Sequence, residues 1–453
     1  MRMGTKAAVV IGSIVLSLSA VAVAAEKPTP REQLAGIRRQ ATQAYRAKDY
    51  RAARTAYEQW HEFAPYSSAP IYNLACVNAL LGGKKEALRW LALYARMGQV
   101  ADLAKDPDLA SLADDAEFKR LADQTTSHAS VAARTEDWFS FSSAHLVHDA
   151  GDDGDRLRDE ALVEDVAYDP ASHTFYLASL TDKHVLKIAK DKKLTNPVNL
   201  SSDPGWPVFA VAVQGNALWV ATAAMPEFAA SPKAAWGKSL LLKVDAKNGK
   251  ILERYPTAND GRPHVLGDMA LAADGTVAVS DGRSGDVYLL KPDANELQRI
   301  DAGEFISPQS PAFTPDGKYL FVADYARGVA RIHLASGTVE WLKAFESAAL
   351  AGIDGLYFDH GTLIAVQNGT SPARIARLTL SPDLAQIISL TTLAEGPDAQ
   401  DINHGVLVEG DFYYIAQAGW DALDEHGDRK PDAKPVAPLL RRLRLQSVPG
   451  ARK

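Results

Sequence analysis

Residues 311–323 read PAFTPDGKYLFVA and decide the fold. An apolar segment, a Thr-Pro-Asp-Gly turn and a second apolar segment follow one another, which is the pattern of two short antiparallel strands joined by a tight turn. The pattern recurs, each time with a Gly or Pro turn, at 162–180, 208–221, 268–279, 356–366 and 406–416. Six such units, spaced by roughly 40 to 60 residues, predict six four-stranded blades and a mainly β fold, a six-bladed β-propeller.

A helical periodicity precedes the propeller, over residues 31–98. Four positions have counterparts 34 residues further on: Ala41, Tyr50, Ala53 and Tyr57 are followed by Ala75, Lys84, Ala87 and Leu91. The period and the small alanines resemble tetratricopeptide repeats, whose paired helices pack closely. We therefore expect an all-α helical module over 31–123, a polar linker over 124–137 and the propeller over 138–446. The module either binds a peptide or protein partner or braces the propeller, and the sequence leaves both open.

The N-terminal residues 1–25 have the composition of a secretory signal peptide. Arg2 and Lys6 precede an uncharged apolar run, and small residues up to Ala25 resemble a cleavage site. The apolar run is shorter than the about 20 residues that span a bilayer. We expect a periplasmic or secreted protein with no membrane span after signal cleavage. A net charge of −7 without a basic stripe argues against a nucleic-acid partner.

The first residue of each repeated unit marks the start of an inner strand, and in a propeller these starts surround one axis. The six are Glu164, Phe209, Asp268, Gln309, Asp354 and His404. Carboxylates gathered at one channel mouth repel each other unless a cation or protons lie among them. Carboxylate, amide and imidazole ligands together suit Ca²⁺, Mn²⁺, Mg²⁺ or Zn²⁺, so we expect one divalent cation. The alternative is that these side chains bind ordered water.

Short motifs at these strand starts carry a resemblance to a known family. They are Glu164-Asp165-Val166-Ala167-Tyr168, Gly267-Asp268-Met269, Gln309-Ser310-Pro311 and Asp354-Gly355-Leu356. They resemble motifs of the regucalcin and gluconolactonase family, also called senescence-marker-protein-like, whose six-bladed propellers hold a divalent metal in the central channel. The resemblance implies that Glu164, Gln309 and Asp354 are metal ligands, with Asp354 also the general base. Gln309 stands where the family has Asn.

The resemblance implies a metal-dependent lactonase-like or esterase-like hydrolase whose small-molecule substrate, a cyclic ester, binds in the propeller channel. Asp354 and His404 are the predicted catalytic residues, His404 as a proton shuttle because an ordinary imidazole titrates near neutral pH. The predicted substrate-binding residues lie at strand starts or in loops that follow strands: Asp268, Tyr325, Arg327 and Asn368. The alternative is a non-catalytic propeller that binds a small molecule or a protein partner, with the helical module as an interaction surface.

Overall fold

The computed structural model describes residues 27–126, 135–143, 161–228, 231–301, 303–424, 429–434 and 436–445. The predicted signal peptide at 1–25 lies outside these ranges, as do most of the predicted linker and residue 446 at the end of the predicted propeller. No helix within the described ranges is long and apolar enough to cross a membrane.

Five α-helices form the N-terminal module: α1 (Pro30–Arg46), α2 (Tyr50–Phe63), α3 (Ser68–Leu80), α4 (Lys84–Arg96) and α5 (Ala116–Thr126). Thr29 and Glu32 cap the start of α1 reciprocally, each side chain bonding to the other's backbone N–H. The small side chains expected at helix contacts are fully buried, namely Ala41, Ala53, Ala75 and Ala87. Two consecutive helix pairs therefore occur where the 34-residue spacing predicts them. The last helix extends to Thr126, into the predicted linker.

The β region begins with β1 (Thr135–Ser140), earlier than the predicted start at residue 138. Blade one contains β2 (Val163–Asp169), β3 (Thr174–Ser179), β4 (His184–Ile188) and β5 (Leu194–Asn199). Blade two contains β6 (Val208–Gln214), β7 (Ala217–Ala223), β8 (Ser239–Asp245) and β9 (Ile251–Pro256). Blade three contains β10 (Leu266–Leu271), β11 (Val277–Asp281), β12 (Asp286–Leu290) and β13 (Gln298–Arg299). In each blade, consecutive strands are antiparallel neighbours.

The second half of the ring repeats this arrangement. Blade four contains β14 (Pro308–Phe313), β15 (Tyr319–Asp324), β16 (Gly328–His333) and β17 (Thr338–Trp341). Blade five contains β18 (Lys343–Ala344), β19 (Ile353–Asp359), β20 (Thr362–Gln367), β21 (Arg374–Leu380) and β22 (Gln386–Glu395), with β18 parallel to β22. Blade six contains β23 (Gly405–Val408), β24 (Asp411–Gln417) and β25 (Leu439–Arg444). The prediction of a six-bladed propeller is confirmed.

Strand β1 closes the ring. It pairs antiparallel with β25, so the order in blade six is β1-β25-β24-β23. Arg441 and Arg442 of β25 contact Asp137 and Glu136 of β1 at 2.7 and 2.9 Å. The two ends of the propeller thus share one sheet, which covers an edge that would otherwise be open to pairing with other chains. The sixth blade therefore cannot form from the C-terminal segment alone.

Aromatic side chains pack blade six against blade one. Phe139 and Phe141, in and just after β1, share a core cluster with Phe175 of blade one and Leu440 of β25. Phe141 is only 1% exposed, and its ring centroid lies 5.3 Å from that of Phe139. The same cluster therefore supports both the outer strand and the contact between the first and last blades.

The helical module packs directly on blades four and five. The backbone N–H of Ala344 donates to the Tyr66 hydroxyl at 2.7 Å, and the N–H of Leu350 donates to the Tyr66 carbonyl at 3.1 Å. Nearby, the N–H of Val100 donates to the carbonyl of Ser371 at 2.7 Å. These contacts favour the bracing role. A peptide or protein partner of the module stays a prediction.

A buried ionic network in blade three centres on His264, which is 2% exposed. Its Nδ1 lies 2.7 Å from Oδ2 of Asp281, and its Nε2 lies 3.1 Å from Oδ1 of Asp260. Burial acts to lower the pKa of His264, but the hydrogen bonds and charges of the two carboxylates outweigh it, so that the pKa is raised. The folded state therefore favours the imidazolium form more than the unfolded chain does.

Phe141→Ala is expected to lower the free energy of unfolding by about 3–5 kcal/mol, because it leaves a cavity at the closing strand. Urea denaturation followed by tryptophan fluorescence measures the change. Phe345→Ala is the matched control, since Phe345 is 38% exposed. Equal midpoint shifts for the two variants would contradict the assigned role of the closing cluster.

The stabilising effect of His264 is expected to depend on pH. Its folded-state pKa lies above the unfolded value of about 6.5, so the stabilisation is complete below that pH and is lost as the pH rises through the raised pKa. Urea denaturation should show a larger loss of unfolding free energy for His264→Gln at about pH 5.5 than at about pH 9. The exposed His360→Gln serves as control. A loss that grows with pH would contradict the ion-pair assignment.

Candidate functional site at the blade starts

A β-bulge lies at the start of five inner strands, as shown by register shifts in their pairing with the second strand of each blade. In blades one and five the extra residues are Glu164 and Asp354, whereas in blade three it is Gly267. In blade six, the backbone N–H of Asn403 donates to the carbonyl of Ile415, and the N–H of Ile415 donates to the carbonyl of His404, both at 3.0 Å. Two adjacent residues thus oppose one residue, as in a bulge. Glu164 and Asp354 therefore occupy the bulge, while Asp268 and His404 follow it.

This geometry corrects the predicted ring of six equivalent residues. When the six repeated units are aligned by their turns, the first residue is the bulge residue in some blades and the residue after the bulge in others. A bulge sets two residues of one strand against one residue of its partner and re-aims their side chains. Both positions consequently contribute polar groups at the same end of the propeller, including Asp165, which directly follows Glu164.

A buried histidine lies among carboxylates at this end. His404 is 2% exposed, and its Nε2 lies 2.9 Å from Oδ1 of Asp268 and 3.8 Å from Oδ1 of Asp354. Its Nδ1 lies 3.9 Å from Oδ1 of Asp165. Burial opposes the charged imidazole, but Asp268 and its neighbours dominate, and the pKa of His404 is raised well above its ordinary value. We call Glu164, Asp165, Asp268, Asp354 and His404 the axial cluster.

The carboxyl groups of the axial cluster have different environments. Burial raises the pKa of Glu164 to about 8 and that of Asp165 to about 7, although the charge of His404 opposes both shifts. Asp165 also accepts backbone N–H groups from Val166 and from Val211 of the next blade, at 2.8 and 2.9 Å. For Asp354, burial is outweighed by His404 and by hydrogen bonds, and the pKa is lowered. Burial also raises the pKa of Asp268, so Asp354 is the carboxyl group of the cluster whose pKa is lowered.

Side-chain amides and an indole bind the two bulge carboxylates. Oε2 of Glu164 accepts from Asn403 at 2.5 Å and from the Trp420 indole N–H at 2.7 Å. Oδ2 of Asp354 accepts from the Asn368 amide at 2.6 Å. The Tyr325 hydroxyl donates to Oδ1 of Asn368 at 3.1 Å. These six side chains line a cavity of about 480 Å³, here named the amide cavity.

Close backbone packing positions Asn368. The N–H of Gly369 donates to the carbonyl of Gly352 at 3.1 Å. A Cβ atom on Gly369 would lie 2.6 Å from both the Gly352 Cα and the Tyr325 hydroxyl. Only glycine fits at residue 369, and this places the Asn368 amide between Tyr325 and Asp354.

A second cavity of about 350 Å³ shares Glu164 and Trp420 with the amide cavity. Its lining includes Arg31, Asp268, Arg283, Gln309 and His404, and it is here named the arginine cavity. The axial channel, of about 310 Å³, is lined by inner strands, and the axial cluster contributes Asp165 and Asp268 to it. The site thus consists of two side-by-side cavities divided by Glu164 and Trp420, next to a channel bordered by buried acids.

The structure brings together most of the residues predicted from the sequence. The axial cluster and the amide cavity contain Glu164, Asp268, Tyr325, Asp354, Asn368 and His404. Gln309 is different, because its amide nitrogen donates to the Ser307 hydroxyl at 3.0 Å and the side chain lines only the arginine cavity. The amide near Glu164 and Asp354 comes instead from Asn403 and Asn368.

Arg327 lies away from both cavities. Its guanidinium group stacks on Trp341 of blade four at 4.0 Å and on Phe63 of α2 at 4.9 Å. It also donates to the Glu304 carbonyl at 3.2 Å. The turn after β15 directs Tyr325 to the site and Arg327, two residues later, to the helical module. The structure thus shows Arg327 in contact with the helical module, and its substrate-binding role stays a prediction.

Sequence reasoning missed Asp165, Asn403 and Trp420 as parts of the site. Asp165 and Asn403 each adjoin a predicted residue, so the only available signal was a polar pair at a strand start, Glu164-Asp165 or Asn403-His404. Trp420 follows Gly419, whose φ of 101° turns the chain after the last blade's second strand. Which of two adjacent polar residues faces the axis depends on the bulges, and these leave no distinct pattern in the sequence.

Compact sets of potential metal ligands are rare among the described residues. One group of three His, Cys, Asp or Glu side chains has ligand atoms within 4.8 Å of one another, and it is Cys76, Asp106 and Asp108 in the helical module. Tyr72 donates to Asp106 at 2.6 Å, and Tyr45 donates to Asp108. These carboxylates serve as acceptors for tyrosines, and burial raises the pKa of the Cys76 thiol. The group therefore has the character of a buried hydrogen-bond network.

Searches for known relatives give fold similarities only. No family model and no curated protein matches the chain. Among solved structures, a gluconolactonase from Xanthomonas campestris is 16% identical, with a TM-score of 0.45 over 70% of this chain and 98% of its own. The calcium-binding protein regucalcin from Agrobacterium tumefaciens is 17% identical, with a TM-score of 0.45 over 63% and 90%. Virginiamycin B lyase from Staphylococcus aureus is 13% identical, with a TM-score of 0.43 over 62% and 94%.

Proposed function

We propose that this chain is a lactonase-like or esterase-like hydrolase that opens a small cyclic ester in the amide cavity. The observation that carries the proposal is that the Glu164 and Asp354 carboxylates border one cavity of small-molecule size, with buried His404 beside Asp354. Residues 1–25 support a periplasmic or secreted location for this activity.

The residues at the amide cavity suit a divalent cation. Glu164 and Asp354 offer carboxylate oxygens. The amide nitrogens of Asn368 and Asn403 donate to these carboxylates, and a 180° rotation of each amide group would present its oxygen to a cation instead. An all-oxygen set of this kind suits Ca²⁺, Mg²⁺ or Mn²⁺. When bound, such a cation polarises an ester carbonyl and favours ionisation of water. In this proposed ligand set, Asn368 and Asn403 take the place predicted for Gln309 from the sequence.

The residues of the chain supply proton transfer. Asp354 accepts a proton from the water that attacks the carbonyl carbon, and returns it to the ring oxygen as the carbon–oxygen bond breaks. His404 lies 3.8 Å from Asp354 and is held by Asp268 at 2.9 Å. Its positive charge keeps Asp354 ionised and orients it for the next turnover. Asn368 fixes the other Asp354 oxygen, while Tyr325 and Trp420 form the walls against which the substrate packs.

Asp354→Asn is expected to lower kcat/KM for lactone hydrolysis by about 10²-fold or more, since it removes the proton acceptor. Glu164→Gln is expected to lower it by a similar factor. A pH-stat assay of the mature protein against a panel of neutral lactones measures both effects. Asp191→Asn is the control, because Asp191 is an exposed carboxylate with 56% of its side chain accessible. If no lactone is hydrolysed by the wild-type protein, the non-catalytic ligand-binding function is favoured.

Metal content tests the ligand set separately. Elemental analysis of the purified protein is expected to show about one divalent ion per chain, and chelation should abolish hydrolysis until the metal is restored. Asp354→Asn and the double variant Asn368→Ala/Asn403→Ala should lose the ion, whereas Gln309→Ala should retain it. The assignment of the amides as ligands would be contradicted if the double variant Asn368→Ala/Asn403→Ala kept its full metal content while Gln309→Ala lost the ion. That result would identify Gln309 as the amide ligand.

A further inference from the structure

Arg31, the second residue of α1, reaches from the helical module to the propeller site. Its Nη2 donates to the carbonyls of Gly282, at 2.6 Å, and Ile306, in the loops of blades three and four. The Nε of Arg31 is buried and has no hydrogen-bond partner among the residues that the structure describes. Arg31 lines the arginine cavity together with Arg283, Glu164 and His404. An element outside the propeller therefore contributes a cation to the wall of the candidate active site.

Arg283 is only loosely paired. It follows β11, and the acid nearest to it among the described ion pairs, Glu227, lies at 3.8 Å. Burial and the charge of Arg283 lower the pKa of Arg31, while Asp324 and Asp281 partly offset this. Asp281 is already bound to His264 and to the N–H of Val265. The two guanidinium groups thus repel each other across the cavity, and an anion between them would relieve the repulsion.

A cationic cleft leads away from the arginine cavity. It has a volume of about 870 Å³ and is lined by five basic side chains, Lys27, Arg31, Arg262, Arg283 and Arg299. Arg262 pairs with Asp260 and Asp286, both at 2.7 Å, and Arg299 pairs with Asp286 at 2.9 Å and Asp301 at 2.8 Å. The other charged residues in the lining of the cleft are Lys27, Arg31 and Arg283, which are basic, and Glu32, which is acidic and accepts from Thr29. Three basic groups against one acid leave the cleft with a net positive charge, and two of the three, Arg31 and Arg283, also line the arginine cavity.

We propose that Arg31 and Arg283 form a subsite for an anionic group, a carboxylate or a phosphate, on the molecule bound beside the axial cluster. Guanidinium groups bind such groups through paired, charge-assisted hydrogen bonds. The identity of the reacting ester rests on the proposed function, whereas binding of the anion does not. The helical module thereby has a part in ligand selection, because the propeller alone supplies only Arg283.

Isothermal titration of the full mature protein with inorganic phosphate and with D-gluconate tests the subsite. Binding of at least one of them is expected, and the tighter probe identifies the phosphate or carboxylate chemistry. Arg31→Gln and Arg283→Gln should each weaken binding about tenfold. Arg254→Gln is the control, an exposed arginine of blade two that pairs with Asp203. Arg31→Gln also removes the hydrogen bonds from the helical module to the Gly282 and Ile306 carbonyls of the propeller. Thermal melting curves of both variants show whether stability has changed, and Arg283→Gln tests anion binding without removing those hydrogen bonds.

Hydrolysis provides a second, independent readout. Uncharged D-gluconolactone and carboxylate-bearing D-glucarolactone form a matched pair, and the wild-type protein should prefer the charged lactone through a lower KM. The arginine variants should lose this preference, whereas Arg254→Gln should keep both the preference and the wild-type kcat for the uncharged lactone. If neither lactone is hydrolysed, the proposed function fails and the titrations alone decide the subsite. The subsite is refuted if neither anion binds, or if both variants bind the anions as tightly as Arg254→Gln.

Discussion

The contact of buried His404 with carboxylates from three other blades is the interaction on which the site depends. Asp165, Asp268 and Asp354 come from blades one, three and five, and their inner strands begin around one axis. Without a positive charge among them, these groups would repel one another in a region of low dielectric. The imidazolium allows the strands to converge while leaving Glu164 and Asp354 at the wall of an adjoining cavity. The same interaction therefore serves the fold and the proposed chemistry.

Much of the fold can be predicted from local sequence because its repeated unit is local. The turn at residues 314–317 and its five counterparts each join neighbouring strands, so six units indicate six blades. Ring closure is different, since Thr135 pairs with Leu443 at the opposite end of the propeller sequence. No short pattern in 135–140 distinguishes an outer strand of the last blade from the start of the first. The closing strand therefore becomes apparent only in three dimensions.

The candidate site was predicted in part for a related reason. Glu164 and Asp354 stand out as acids at the start of apolar strands, and the structure brings them to one cavity. The bulges then add Asp165 and Asn403 to the site. In a regular strand, alternate side chains point to opposite faces, and this rule predicts the wrong side-chain direction at a bulge. Gln309 and Arg327 have suitable chemistry, but the first bonds to Ser307 and the second packs on Phe63. Residue type can be read from sequence, whereas side-chain direction at bulges and turns cannot.

The most direct test is a crystal structure of the mature protein with Mn²⁺ and a lactam analogue of gluconolactone. An anomalous peak is expected in the amide cavity between the carboxylates of Glu164 and Asp354, with the lactam carbonyl directed toward it and the ring against Trp420. A structure in which saturating analogue leaves the amide cavity empty, or binds elsewhere on the propeller, would contradict the proposal that this cavity is an ester-hydrolysing site.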